Sequence, residues 1–94
     1  MARDAQRLLV SGRVQGVGFR WWLTGEAVAL GLAGWVRNLG DGRVEALAIG
    51  EASALDRLAA ICESGPPGAR VDAVERIAAD DDGSRGFEQK PTRI

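Results

Sequence analysis

The sequence contains no histidine. That absence excludes imidazole acid–base catalysis, phosphohistidine intermediates and histidine metal ligation. The one cysteine, Cys62, can form neither an internal disulfide nor a cysteine-cluster metal site. Small secreted domains often carry paired cysteines, so a reducing cytoplasm is the expected compartment. No stretch approaches the roughly 20 apolar residues of a bilayer span. The opening Met1-Ala-Arg-Asp-Ala-Gln-Arg has no apolar run of the signal-peptide kind. Nor is charge of one sign in excess: 12 basic against 13 acidic side chains leave a net −1. A general nucleic-acid or membrane binder is therefore disfavoured, while a local anion site stays open. The positive charge is all arginine except Lys90, spread along the chain and not gathered in one run.

What is present fits one small globular domain, expected to span residues 1–94. Hydrophobic residues make up 46% and charged residues 27% of the 94, an ordinary globular balance. Area scaling gives a folded surface of about 5,200 Å², with about 64% of the unfolded surface buried. No repeat, linker or low-complexity tract divides the chain.

Apolar period two predicts a first strand over residues 7–14, with Leu8, Val10, Gly12 and Val14 on one face. A helix is predicted over 19–30 from the stripe Phe19, Trp22, Leu23, Ala27 and Leu30, stopped by Gly31. Two strands, 34–39 and 43–49, flank Gly40-Asp41-Gly42, whose Asp-Gly pair is expected to supply the positive φ angles of a hairpin turn. A second helix over 54–63 would bury Leu55, Leu58, Ala59 and Cys62, with Ser53 as N-cap and Gly65-Pro66-Pro67-Gly68 as its end. A fourth strand falls within 70–77, although Val71, Val74 and Ile77 do not alternate cleanly. Beyond the acidic stretch Asp80–Asp82, expected to be a solvated turn, a short edge strand lies near 86–88. The order β-α-β-β-α-β is the split βαβ pattern, an antiparallel sheet with both helices on one face. Such a layout hosts enzymes, RNA binders and ligand sensors alike.

Chemistry concentrates between Gly12 and Arg20, where a strand passes into a helix. Gly16 and Gly18 let the backbone aim several N–H groups into one concavity beside the positive helix end, an arrangement that receives anions. The glycines alone serve equally to turn the chain. A Walker loop is excluded because no Gly-Lys-Ser/Thr follows, and the three-glycine spacing of a dinucleotide fingerprint is missing. Arg20 sits in the first helical turn, where the helix dipole disfavours a cation by a few tenths to about 1 kcal/mol. A bound dianion between it and the loop would account for it, since its planar fork matches two phosphate oxygens. The alternative is an exposed arginine paired with Glu26 or a C-terminal carboxylate. Asn38, late in its strand, either bonds its own backbone in a turn or holds a water in line with a bound phosphorus.

Gly12-Arg13-Val14-Gln15-Gly16-Val17-Gly18-Phe19-Arg20 and Gly34-Trp35-Val36-Arg37-Asn38-Leu39 resemble the two signatures of the acylphosphatases. The likeness extends through Asp41-Gly42-Arg43-Val44-Glu45 and Gly65-Pro66-Pro67-Gly68-Ala69, covering nearly all of residues 8–87. The resemblance implies an α+β, ferredoxin-like two-layer sandwich that hydrolyses the carboxyl–phosphate bond of acyl phosphates. It implies that Arg20 and the backbone amides of Gln15, Gly16, Val17, Gly18 and Phe19 bind phosphate, and that Asn38 orients the attacking water. Expected partners are a small acyl phosphate and phosphate or another anion as product or inhibitor; no nucleic acid or membrane is expected, and a monomer is the default state. No motif demands a metal or organic cofactor. The sequence departs from the family pattern at Trp21 and Trp22, bulkier than is common after the arginine. Further departures are Gly40, where proline is frequent, and Leu39, where some members carry threonine.

Trp22 and Trp35 are expected in the core, whereas Trp21 faces off the apolar stripe and either borders the site or is simply partly exposed. Cys62 is expected to be a buried hydrophobe and not a nucleophile. Two other uses of the fold compete. An RNA-recognition module needs stacking aromatics on adjacent sheet strands and basic surroundings; here the Phe-rich strand motif is absent and the net charge is slightly negative. An acylphosphatase-like domain also occurs in a larger hydrogenase-maturation protein, where binding could outweigh turnover; the retention of Arg20 and Asn38 argues for catalysis.

Overall fold

The structure is a computed structural model that describes residues 3–94. Its elements are β1 (Asp4–Arg13), α1 (Phe19–Ala29), β2 (Ala33–Asn38), β3 (Val44–Gly50), α2 (Ala52–Ser64), β4 (Arg70–Ala78) and β5 (Phe87–Gln89). The sheet order is β4-β1-β3-β2-β5. Both helices cover one face, so Leu8 and Val10 of β1, Val36 of β2 and Ala46 of β3 meet Phe19, Leu23 and Ala27 of α1 and Leu55, Leu58 and Cys62 of α2. The two helical stripes predicted from period 3.6 are the buried faces, except that Trp22 and Leu30 stay half-buried at the margin. The surface left to solvent is 5367 Å², close to the area expected from mass alone.

Several expectations need correction. The sheet is not wholly antiparallel: β1, β3, β2 and β4 pair antiparallel, but β5 runs parallel to β2. The chain leaves β4 at one edge and rejoins the sheet at the other, so it reaches β2 in the same direction. The pairing then continues beyond β5, with Lys90 N–H donating to Val36 O (2.8 Å), Arg93 N–H to Asn38 O (2.9 Å) and Gly40 N–H to Arg93 O (2.8 Å). That last bond gives Gly40 a purpose, because a proline there would have no N–H to donate.

Ser53 is not a cap. Helix α2 starts two residues earlier than predicted, straight from β3, and Glu51 takes the extended cap conformation without a side-chain bond. In the β2–β3 turn only Gly42 has positive φ (98°). Asp41 stays in ordinary backbone and accepts from the Arg43 amide (3.0 Å), which holds its carboxyl below the usual range. Asp80, Asp81 and Asp82 are exposed, as expected of a solvated turn, but the stretch is tied to the rest of the fold. Ala79 packs on the open sheet face, Arg3 pairs with Asp81 (2.8 Å) and Asp82 accepts from Trp35 Nε1 (3.3 Å). Trp35 therefore lies on that open face beside Ala33, Leu47 and Ile49, with Arg37 and Lys90 over its ring, and not in the core beneath the helices.

One backbone approach governs where β2 sits. Gly34 has φ 136°, and a Cβ there would stand 1.8 Å from the Leu47 carbonyl oxygen. Only glycine lets β2 close onto β3 at this point, which sets the position of Asn38 four residues further on.

Candidate active site

Strand β1 ends at Arg13, and α1 begins after five intervening residues. In between, Gly16 (φ 74°) and Gly18 (φ 78°) are left-handed while Val17, like every non-glycine described, has negative φ. Alternating handedness of this kind turns successive N–H groups to one side, forming a nest. Gly18 is the N-cap of α1 and no side chain caps the helix. The first helical bond runs from Trp22 N–H to Gly18 O (2.9 Å), so the N–H groups of Gly18, Phe19, Arg20 and Trp21 have no helical acceptor. No acidic side chain occupies the first turn. The helix end is left with its positive potential uncompensated, and a cation, Arg20, is added to it.

A pocket of about 180 Å³ opens here, lined by Val14, Gln15, Gly16, Gly18, Phe19, Arg20, Trp21, Asn38 and Gln89. Six of the seven residues singled out from the sequence meet in it. Val17 is the exception: its side chain packs against the core beneath the loop, which anchors the nest from behind. Arg20 is the one charged residue of the lining. Neither Glu26 nor any other carboxylate forms an ion pair with it among the described residues. Asn38 is the last residue of β2. Its carbonyl accepts from Arg93, but its carboxamide makes no turn bond to its own backbone among the described residues.

Sequence reasoning missed the role of one side chain, that of Gln15, and one residue, Gln89. The Gln15 carboxamide donates to Leu39 O (2.8 Å) and Arg43 O (3.0 Å), tying the loop to the mouth of the β2–β3 hairpin and hence to Asn38. Its position in the loop gave no hint of which backbone it would meet. Gln89 lines the pocket from β5, and no local signal marks it, because the parallel pairing with β2 brings it there.

Cys62 lies in the core of α2, away from this pocket. Burial, with the nearby Glu26 charge, pushes its thiol up to about 12. At pH 7 only roughly one thiol in 10⁵ would be thiolate, so it is no nucleophile in the folded chain. Native protein is expected to resist a thiol-labelling reagent over hours and to react within minutes in denaturant; equal rates would contradict this burial. Among the described residues no group of three or more His, Cys, Asp or Glu side chains is placed to share a metal ion. No helix is long and apolar enough to cross a membrane.

The acylphosphatase family model matches residues 6–89 of the chain. The chain belongs to the acylphosphatase family. An acylphosphatase of Rhizorhabdus wittichii is 47% identical over 90 residues, spanning 96% of this chain and 91% of its relative. Among solved structures, an acylphosphatase from Coxiella burnetii superposes with a TM-score of 0.91 at 35% identity, covering 95% of this chain and 94% of the other. The acylphosphatase from Bacillus subtilis gives 0.88 at 39% identity, covering 92% and 97%. The fold is ferredoxin-like and the reaction of this acylphosphatase is the hydrolysis of acyl phosphates to carboxylate and phosphate.

Proposed function

We propose that the chain hydrolyses small acyl phosphates by direct attack of one water on phosphorus, with no covalent enzyme intermediate. The observation that carries this reading is the meeting of Arg20, the loop of residues 15–19 and Asn38 in one pocket. The loop N–H groups and the Arg20 fork bind the phosphoryl oxygens. Asn38, which offers both a donor and an acceptor, holds the water opposite the leaving carboxylate. The water oxygen bonds to phosphorus as the bond from phosphorus to the acyl oxygen breaks, and the electron pair leaves with the carboxylate. That leaving group is already a weak base and needs no general acid. No protein base lines the pocket, so the water proton passes to a phosphoryl oxygen of the substrate. Catalysis is then positioning and charge stabilisation, which is what a loose phosphoryl-transfer transition state requires.

Hydrolysis of benzoyl phosphate in ¹⁸O-water tests the bond that breaks. The label is expected in phosphate alone; label in benzoate would place attack on the carbonyl carbon and overturn the mechanism. We further assign the chain as one domain over residues 1–94, monomeric and cytoplasmic. The single core beneath the two helices supports the first assignment, and the lone buried thiol is consistent with the last.

A further inference from the structure

Trp21 belongs neither to the core nor to the side chains packed against it. The residue is 77% exposed, whereas the adjacent Trp22 packs edge-on against Phe19 with ring centroids 5.3 Å apart. An indole so exposed is free to contact a ligand. Trp21 also lines the pocket that holds Gln15, Arg20 and Asn38. If the phosphoryl group occupies the nest, the acyl group extends from it among the other lining residues, of which Trp21 of α1 is the one large exposed apolar side chain. Arg20, the one cation of the lining, is already engaged by phosphate. A second anionic group on the substrate would find no cation among these residues, whereas a flat apolar group would find an indole.

We propose that Trp21 is a specificity-determining residue that lays its indole against the acyl group. The chain then favours acyl phosphates with an aromatic or other flat apolar acyl group over small or second-anion-bearing ones. This rests on the phosphate-binding reading of the same pocket. Aromatic contact of this kind corresponds to about 3- to 10-fold in binding.

The test compares kcat/KM for benzoyl phosphate and acetyl phosphate in wild type, Trp21→Ala and Trp21→Phe. Trp21→Ala is expected to lose about 3- to 10-fold on benzoyl phosphate and less than about 2-fold on acetyl phosphate, with Trp21→Phe near wild type. Equal losses on both substrates, or none on either, would overturn the proposal. A binding arm needs no turnover: calorimetry with benzylphosphonate and methylphosphonate. Wild type is expected to bind the benzyl compound more tightly, Trp21→Ala to lose that preference, and Arg20→Ala to lose both ligands. Flat phosphonate selectivity in wild type refutes the role of Trp21 while the phosphate site stands. Unchanged phosphonate affinity in Arg20→Ala refutes the phosphate site itself, and with it this inference.

Discussion

Replacing Arg20 with alanine is expected to lower kcat/KM for benzoyl phosphate on the order of 10³-fold or more, with losses in both KM and kcat. The guanidinium is the only charge of the pocket lining, and no carboxylate competes for it among the described residues. In the proposed mechanism it meets charge already present on the bound substrate and charge that spreads over the equatorial oxygens in the transition state, so both parameters should suffer. Arg20→Lys is expected to be nearly as damaging, because a point charge cannot hold two oxygens in one plane. The fold should survive. Arg20 is only half-buried and outside the core, so circular dichroism and Tm are expected to stay close to wild type. Inhibition by inorganic phosphate supplies the second readout: it should weaken in step with KM. A folded Arg20→Ala variant with wild-type KM would remove the arginine from the phosphate site.

Asn38→Ala is expected to lower kcat by about 10²-fold or more while KM and phosphate inhibition change little. A water held in line with phosphorus is a transition-state arrangement, and misplacing it by about 1 Å can cost that much. The contrast between the two variants is the diagnostic point. In the proposed mechanism Arg20 binds what is already charged and Asn38 aims what is about to react. Steady-state kinetics that gave both variants the same split between kcat and KM would refute this division of labour, as would near-normal turnover in folded Asn38→Ala. The bonds that hold β2 at this point are main-chain, from Arg93 N–H to Asn38 O and across to β3, and they remain in the variant.

The parts of the molecule that repeat were legible in the amino-acid order. Leu55, Leu58, Ala59 and Cys62 are all buried, as their helical spacing requires, and so are Phe19, Leu23 and Ala27. Strand β4 was harder to read because it is an edge strand in which no residue is fully buried, so burial imposed no clean alternation on Val71, Val74 and Ile77. The start of α2 was missed because Glu51, with no capping side-chain bond, gives none of the usual N-cap chemistry. The parallel course of β5 had no local sign at all, since its partners lie in β2, some fifty residues earlier in the chain.

The site divides the same way. The order of residues alone determined the anion nest, because Gly16, Val17, Gly18 and Arg20 are contiguous and their backbone handedness is a local property. It also determined the absence of histidine, which excludes imidazole acid–base catalysis. Only the tertiary structure decided that Asn38 and Gln89 share one pocket with Arg20 and that the Gln15 side chain ties the loop to Leu39 and Arg43. Those meetings follow from how β2 docks between β3 and β5, a matter of long-range strand pairing and of the backbone approach that Gly34 permits. Short-range sequence can specify a turn, but which remote strand end lies opposite it is settled when the sheet assembles.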